Sequence, residues 1–139
     1  MFQSDIERVT GLKPVIRHDM PEVQTIILVG TIGKNRWIDE LVQNDKLDLS
    51  DVNGRWETSL IQTVENPFPN VKQAVVIVGS DKRGTIFGMF DISRKMGVSP
   101  WYWWADVPVK QHDEVHINKG RYNLGEPKVK YRGIFLNDE

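Results

Sequence analysis

The first stretch with residues suited to chemistry is VIVGSDKRGTIFG, which places Lys82 and Arg83 between a predicted strand and a predicted helix. Such a turn exposes backbone N–H groups and the positive end of the helix dipole, so α/β proteins often bind anions there. The glycines match neither GxGxxG nor GxxxxGK[ST], which argues against a nucleotide site. The pattern favours a capped helix whose Gly84 and Gly88 let it lie close on the sheet. The alternative is that Lys82 or Arg83 faces a carboxylated ligand across a domain boundary.

The second stretch places Trp101, Tyr102, Trp103 and Trp104 in a row and so contains three of the five tryptophans of the chain. A helix or strand would distribute these rings over opposite faces, so a single surface cannot bury them all. Two interpretations stay open. Either the rings fill a seam between two domains, or Trp103 or Trp104 stacks on a sugar. Both can hold, because ligand sites favour domain seams.

The third stretch, YRGIFLNDE, is apolar and then turns polar at its C-terminal end. Alternation places Asn137 and Glu139 on one side of a predicted strand and Asp138 on the other. This pattern is typical of the first strand of a (β/α)₈ barrel, where polar residues at the strand ends line the active site. The alternative is a strand that ends in an ordinary polar loop.

The histidines and the composition exclude several other kinds of site. His112 and His116 are four residues apart, but in an extended stretch that spacing separates them by roughly 13 Å. The chain has no cysteine, which excludes thiolate metal sites, and it lacks the nucleophile elbow of Ser–His–Asp hydrolases. We therefore expect no metal ion and no cofactor.

The charge and hydropathy patterns exclude other partners. The chain of 139 residues has a formal net charge of −1, so it offers no general attraction to nucleic acid or to an anionic membrane. No apolar run approaches the roughly 20 residues of a membrane span. The opening MFQSDIERVTG is polar from its third residue, so this pattern does not predict a signal peptide.

The remaining patterns predict the elements that position these residues. Helices are predicted at Ser4–Val9, at Asn35–Asn44, and from Ser80 or Asp81 to Gly97. Strands are predicted at Gln24–Gly30, Gly54–Asn66 and Lys72–Gly79, in ADVPV and DEVHIN, and at the C-terminal end. The first and third of these strands are continuous apolar runs, which are typical of strands buried on both faces. The order predicts an α/β (α+β-like) fold, a small mixed β-sheet with packed helices.

The domain organisation follows from the segment Asn118–Val129, which is polar and rich in Gly and Pro, as domain boundaries often are. We expect an α/β domain at 1–120, and at 121–139 a linker with the first strand of another domain. Both ends look cut, so we expect a piece of a longer protein.

Two longer segments contain the candidate site residues of these three stretches: GSDKRGTIFGMFDISRKMGVSPWYWWADVPV and KYRGIFLNDE. Both closely resemble the N-terminal part of glycoside hydrolase family 115, the xylan α-1,2-glucuronidases. SDIERVTG and VGTIGKNRWIDELV are similar to that family as well, so the resemblance covers essentially the whole chain. It implies a large, secreted or periplasmic enzyme that removes glucuronic acid or its 4-O-methyl ether from xylan, with inversion. The N-terminal α/β domain resembles the one that precedes the TIM barrel in β-hexosaminidases.

The resemblance also implies roles for the three stretches. Inverting hydrolysis needs two carboxyl groups about 6.5–9.5 Å apart. Asp138 and Glu139 project oppositely from one strand, so we expect the catalytic acid and base outside this chain and no hydrolysis by the chain alone. Asn137 and Glu139 would hydrogen-bond the uronic sugar or orient a catalytic group, and Lys82 or Arg83 would approach the barrel mouth.

The expected partners are glucuronoxylan or its oligosaccharides and the barrel domain of the same polypeptide. An uncovered apolar seam would also promote self-association of this chain. The alternative from another class is a free-standing carbohydrate-binding module that uses the Trp101–Trp104 run as its platform.

Overall fold

The computed structural model describes residues 1–135 and contains three helices and four strands. These are α1 (Phe2–Thr10), β1 (Thr25–Thr31), α2 (Arg36–Gln43), β2 (Ser59–Phe68), β3 (Val71–Gly79), α3 (Lys82–Lys95) and β4 (Arg121–Asn123). The predicted fold class, a small mixed sheet with packed helices, is confirmed. No helix among these residues combines the length and apolarity that a membrane span requires.

The residues predicted to cap the helices do so, although α1 starts at Phe2, two residues before its predicted start at Ser4. Helix α1 is closed by Gly11 in the left-handed conformation, with φ of 72°, which glycine adopts without steric cost. The Asn35 side chain accepts hydrogen bonds from the first N–H groups of α2, and Asp81 does the same for α3. Local capping chemistry therefore sets the end of α1 and the starts of α2 and α3.

The strands form one sheet in the order β1-β3-β2-β4. Strand β3 is central, parallel to β1 and antiparallel to β2, and it is buried from Ala74 to Gly79. The prediction of burial on both faces is correct for β3 and wrong for β1, where Ile27 is 43% exposed. Strand β1 lies at an edge of the sheet, and an apolar run by itself does not distinguish an edge strand from a central one.

Two hydrophobic cores lie on opposite faces of the sheet. One contains Ile38 and Leu41 of α2 together with Leu60. The other contains Ile92 of α3 together with Ile61. Leu60 and Ile61 are neighbours in β2 and are both buried, because helices cover both faces of the sheet.

Strand β2 differs from its predicted limits of Gly54–Asn66. It starts at Ser59 and continues through Pro67 to Phe68, with a register shift between Glu65 and Phe68. Asn66 takes a φ of 47°, so the shift acts as a bulge that lets the strand pass the proline.

The part of the chain after α3 departs most from expectation. ADVPV and DEVHIN form no strand, and β4 forms at Arg121–Asn123, inside the segment predicted to be a domain linker. β4 pairs with β2, and Glu126 lies 3.2 Å from Arg55. Pairing with β2 attaches residues 121–123 to the sheet of the α/β unit, and the predicted domain boundary stays a prediction. The barrel assignment of the later residues stays a prediction.

Candidate functional site

The turn between β3 and α3 is held by side chains of the protein itself. One carboxylate oxygen of Asp81 accepts the Gly84 N–H at 2.7 Å, and the other accepts the Glu57 N–H at 2.7 Å. The Ser80 hydroxyl donates to the Thr58 carbonyl oxygen at 3.1 Å. The predicted capped helix start is therefore confirmed.

Gly84 and Gly88 allow α3 to approach the sheet closely, as predicted. A Cβ atom at Gly84 would collide with the Thr58 carbonyl oxygen, and one at Gly88 would lie 2.8 Å from Cγ2 of Ile77. The helix could not occupy its place with larger residues at these two positions.

The two predicted ligand-binding cations have different surroundings. Arg83 Nη1 lies 2.8 Å from Oε1 of Glu57, whose side chain is only 9% exposed. Lys82 is exposed beside it. The guanidinium of Arg83 therefore has an internal partner, while the ammonium of Lys82 is accessible from solvent. The role of either residue toward a substrate stays a prediction.

Glu57 also binds a second arginine. Arg132 Nη2 contacts Glu57 Oε2, and the Arg132 guanidinium lies 5.6 Å from the ring centre of Trp56 and 5.7 Å from that of Phe87. These distances suit cation–π attraction. Sequence reasoning missed this cluster, because Glu57 and Arg132 are 75 residues apart and no local pattern connects the two residues.

The tryptophan run forms a turn on the surface. The Trp101 carbonyl oxygen accepts hydrogen bonds from Trp104 N at 3.1 Å and Ala105 N at 2.9 Å. Trp101, Trp103 and Trp104 are 60%, 64% and 65% exposed. The described residues therefore leave these rings largely uncovered.

One aromatic pair in this run is fixed against α1. The rings of Tyr102 and Trp103 meet edge to face, with centres 5.1 Å apart and planes at 87°. The guanidinium of Arg8 lies 4.7 Å from the Tyr102 ring centre and 5.4 Å from that of Trp103. This pair does not present two coplanar faces, so it is poorly shaped to stack on two sugar rings at once.

Two residues of the predicted site, Asn137 and Glu139, lie outside the described residues, as does their neighbour Asp138. Residues 131–135 form no strand and are exposed. Tyr131 is 86% exposed and Phe135 is 89% exposed.

A further charged cluster attaches β4 to the chain before β2. Asp51 Oδ2 accepts hydrogen bonds of 2.8 Å from Arg121 and of 2.8 Å from Asn123. The hydrogen bond from Arg121, followed by that from Asn123, holds the pKa of Asp51 well below its usual value. These partners are all supplied by the protein, so the cluster stabilises β4.

The histidines show no ligand geometry. His116 Nε2 lies 3.0 Å from Glu114 in an exposed pair. Among residues 1–135, no group of three or more His, Asp or Glu side chains is arranged to hold a metal ion.

An open cleft of about 1360 Å³ runs along the free edge of β1. Its lining is largely apolar and includes Ile16, Ile27, Trp37 and Phe90. None of the predicted site residues within the described part of the chain lines this cleft, so it is a separate feature of the surface.

Comparison with known proteins shows a similarity to solved structures of the same fold and sequence pattern. No protein-family model and no curated protein matches the chain. Among solved structures, it is similar to a family GH115 4-O-methyl-α-glucuronidase with specificity for decorated arabinogalactans. The TM-score is 0.70 and the sequence identity 29%, over 88% of this chain and 14% of that chain. The structural match thus confirms the resemblance to glycoside hydrolase family 115 that the sequence motifs indicate.

Proposed function

We propose that this chain is the accessory α/β part of a larger glycoside hydrolase that releases glucuronic acid or its 4-O-methyl ether from polysaccharide side chains. The observation that carries the proposal is the match to a family 115 glucuronidase at 29% identity over 88% of the chain. The chain spans 14% of that neighbour, so the activity proposed is that of the whole enzyme.

The proposed substrate is glucuronoxylan, on the strength of the sequence motifs. The structural neighbour is specific for decorated arabinogalactans, which makes such polymers the second substrate to test. Because these substrates are polymers, we propose that the parent enzyme acts outside the cytoplasm.

The proposed role of the tryptophan run is to pack against the barrel domain. Exposed fractions of 60–65% for Trp101, Trp103 and Trp104 leave a large apolar area available, and contiguous exposed apolar patches are typical of interaction surfaces. The contact of Arg8 with Tyr102 would hold this surface in a fixed orientation on α1.

The proposed chemistry is hydrolysis with inversion, in which one carboxylic acid protonates the leaving oxygen and a second carboxylate activates water. These two groups would be supplied by the barrel. Asn137 and Glu139 would contact the uronic sugar, and the exposed Lys82 would add positive potential near its carboxylate. The chain alone is then expected to hydrolyse nothing.

Replacing Glu139 by Gln in the parent enzyme tests this proposal. Release of glucuronic acid from glucuronoxylan and from arabinogalactan is measured, with Glu114→Gln as a control because Glu114 is an exposed carboxylate elsewhere. An unchanged rate for Glu139→Gln would remove Glu139 from the site. Hydrolysis by the isolated chain of 139 residues would contradict its accessory role.

The second candidate function is a carbohydrate-binding module, which the exposure of the three tryptophan rings favours. The edge-to-face geometry of Tyr102 and Trp103, at 87°, weighs against a flat platform. Titrating glucuronoxylan oligosaccharides against the chain while following tryptophan fluorescence separates the two candidates. Saturable quenching that Trp104→Ala abolishes would support a carbohydrate-binding module. Unchanged fluorescence would support packing of the tryptophan run against the barrel domain.

A further inference from the structure

The Glu57 carboxylate, on a side chain that is only 9% exposed, is shared by two arginines from different parts of the chain. Arg83 belongs to α3, and Arg132 belongs to the segment that leaves the α/β unit. We propose that Glu57 is a positioning residue that fixes the course of the chain beyond Val129 relative to α3. The purpose of this positioning, to set the direction in which the chain continues toward the proposed barrel domain, rests on the proposed function.

The backbone of Glu57 shows that its position is imposed by its surroundings. Its φ is 48°, a left-handed value that costs a non-glycine residue free energy and persists only where other contacts enforce it. The enforcing contact is the hydrogen bond of 2.7 Å from the Glu57 N–H to Asp81. Asp81 also caps α3, so the Glu57 backbone and the helix start are held by one side chain.

Arg132 is the last residue that the described structure ties to the α/β unit. Its guanidinium donates to Glu57 and to the Val129 carbonyl oxygen and lies near the rings of Trp56 and Phe87. Beyond it, Ile134 is 74% exposed, and a Cβ atom at Gly133 would have nothing within 4 Å. The direction of the following residues therefore depends on how firmly Arg132 is held.

Charge explains why a glutamate is required at the centre of this cluster. Two guanidinium groups approach one carboxylate, and Arg83 also lies 5.8 Å from the Phe87 ring that Arg132 approaches. Without the negative charge the two arginines would repel each other, and Arg132 would lose its strongest partner. Arg83 thus acts through Glu57, by holding the carboxylate in place for Arg132.

A pair of spin labels measures this positioning directly. The chain has no cysteine, so Glu40→Cys on the exposed face of α2 and Ile134→Cys introduce two unique attachment sites. Pulsed electron paramagnetic resonance then gives the distribution of distances between the labels. We expect a narrow distribution that broadens roughly twofold in Glu57→Gln, because loss of a charge-assisted hydrogen bond releases the segment.

Three further variants separate positioning from general destabilisation. Glu65→Gln, which removes an exposed carboxylate paired with Lys119, should leave the distribution narrow. Glu57→Gly removes both the carboxylate and the left-handed strain, so it should broaden the distribution without lowering stability. Combining Arg132→Gln with Glu57→Gln should broaden it no further than either change alone.

A broad distribution of label distances in the chain that keeps Glu57 would overturn the proposal. So would a narrow distribution in both Glu57→Gln and Glu57→Gly. These measurements need no enzymatic activity. If the parent released no glucuronic acid, the proposed function would fail while the positioning role of Glu57 stayed testable.

Discussion

The buried carboxylate of Asp5 accepts a hydrogen bond of 2.8 Å from the hydroxyl of Ser93, which joins α1 to α3 across 88 residues of sequence. The two residues are 3% and 4% exposed. Arg8 pairs with the same carboxylate at 3.1 Å and contacts the ring of Tyr102. A single buried acid therefore links two helices and orients the aromatic turn.

Replacing Asp5 by Ala should lower the free energy of unfolding by about 1–3 kcal/mol, since it leaves the Ser93 hydroxyl buried without its acceptor. Glu7→Ala on the same helix is the control, because the Glu7 side chain is 43% exposed; it should cost no more than about 0.5 kcal/mol. Urea unfolding measures both variants. Equal losses of unfolding free energy in the two variants would show that the Asp5–Ser93 hydrogen bond does not stabilise the fold.

Replacing Gly84 by Ala should destabilise the chain by about 1–3 kcal/mol, because the new methyl group meets the Thr58 carbonyl oxygen. The gain in helix propensity, about 1 kcal/mol, offsets part of a larger steric cost. Gly133→Ala is the matched control, since a Cβ atom there meets nothing. Thermal unfolding compares the two, and a Gly84→Ala variant as stable as the control would contradict the close packing of α3.

Stability should fall in acid partly through Asp91. Burial raises the pKa of Asp91, but the hydrogen bonds from Lys95 and Arg94 outweigh it, so that the folded pKa lies below its ordinary value. A depressed pKa gives stability that is present above about pH 4 and is lost as the pH falls through the folded pKa. Asp91→Asn should therefore make stability less dependent on pH in this range.

Urea unfolding between neutral and acidic pH tests this dependence. Lys95→Gln should reduce it, because Lys95 lies 2.7 Å from Asp91. Lys72→Gln, at an exposed position on β3, should leave it unchanged. Identical pH profiles for Lys95→Gln and the unsubstituted chain would exclude this ion pair as a source of acid sensitivity.

We expect the isolated chain to self-associate through the tryptophan surface. Replacing Trp101 and Trp104 together by Ser should weaken association about tenfold and change stability by no more than about 0.5 kcal/mol, because both rings are exposed in the monomer. Sedimentation at several concentrations measures association. Tyr131→Ser, a change at a single exposed aromatic residue, is the control.

The free edge of β1 is the competing surface for association, because an uncharged apolar edge strand pairs readily with other chains. Ile27→Lys places a charge on this edge, whereas Val42→Lys places one on an exposed apolar position of α2. If Ile27→Lys abolished self-association while Val42→Lys and the double tryptophan variant did not, the interface between copies of the chain would be formed by β1.

The features that the sequence alone determined are those set by neighbouring residues. Gly11, Asn35 and Asp81 limit the helices because capping is local chemistry. The apolar run of β3 predicted a buried strand, and Gly84 and Gly88 predicted close packing of α3. The unusual composition of the tryptophan run and its flanks carried the family resemblance.

The tertiary structure decided what depends on residues distant in sequence. It placed β1 at an edge and β3 at the centre, although both are apolar runs, because strand order follows from pairing and not from composition. It recruited Arg121–Asn123 from a polar, glycine-rich segment into the sheet. It also brought Glu57 to Arg132 across 75 residues, since only chain folding creates a contact between side chains that share no local pattern.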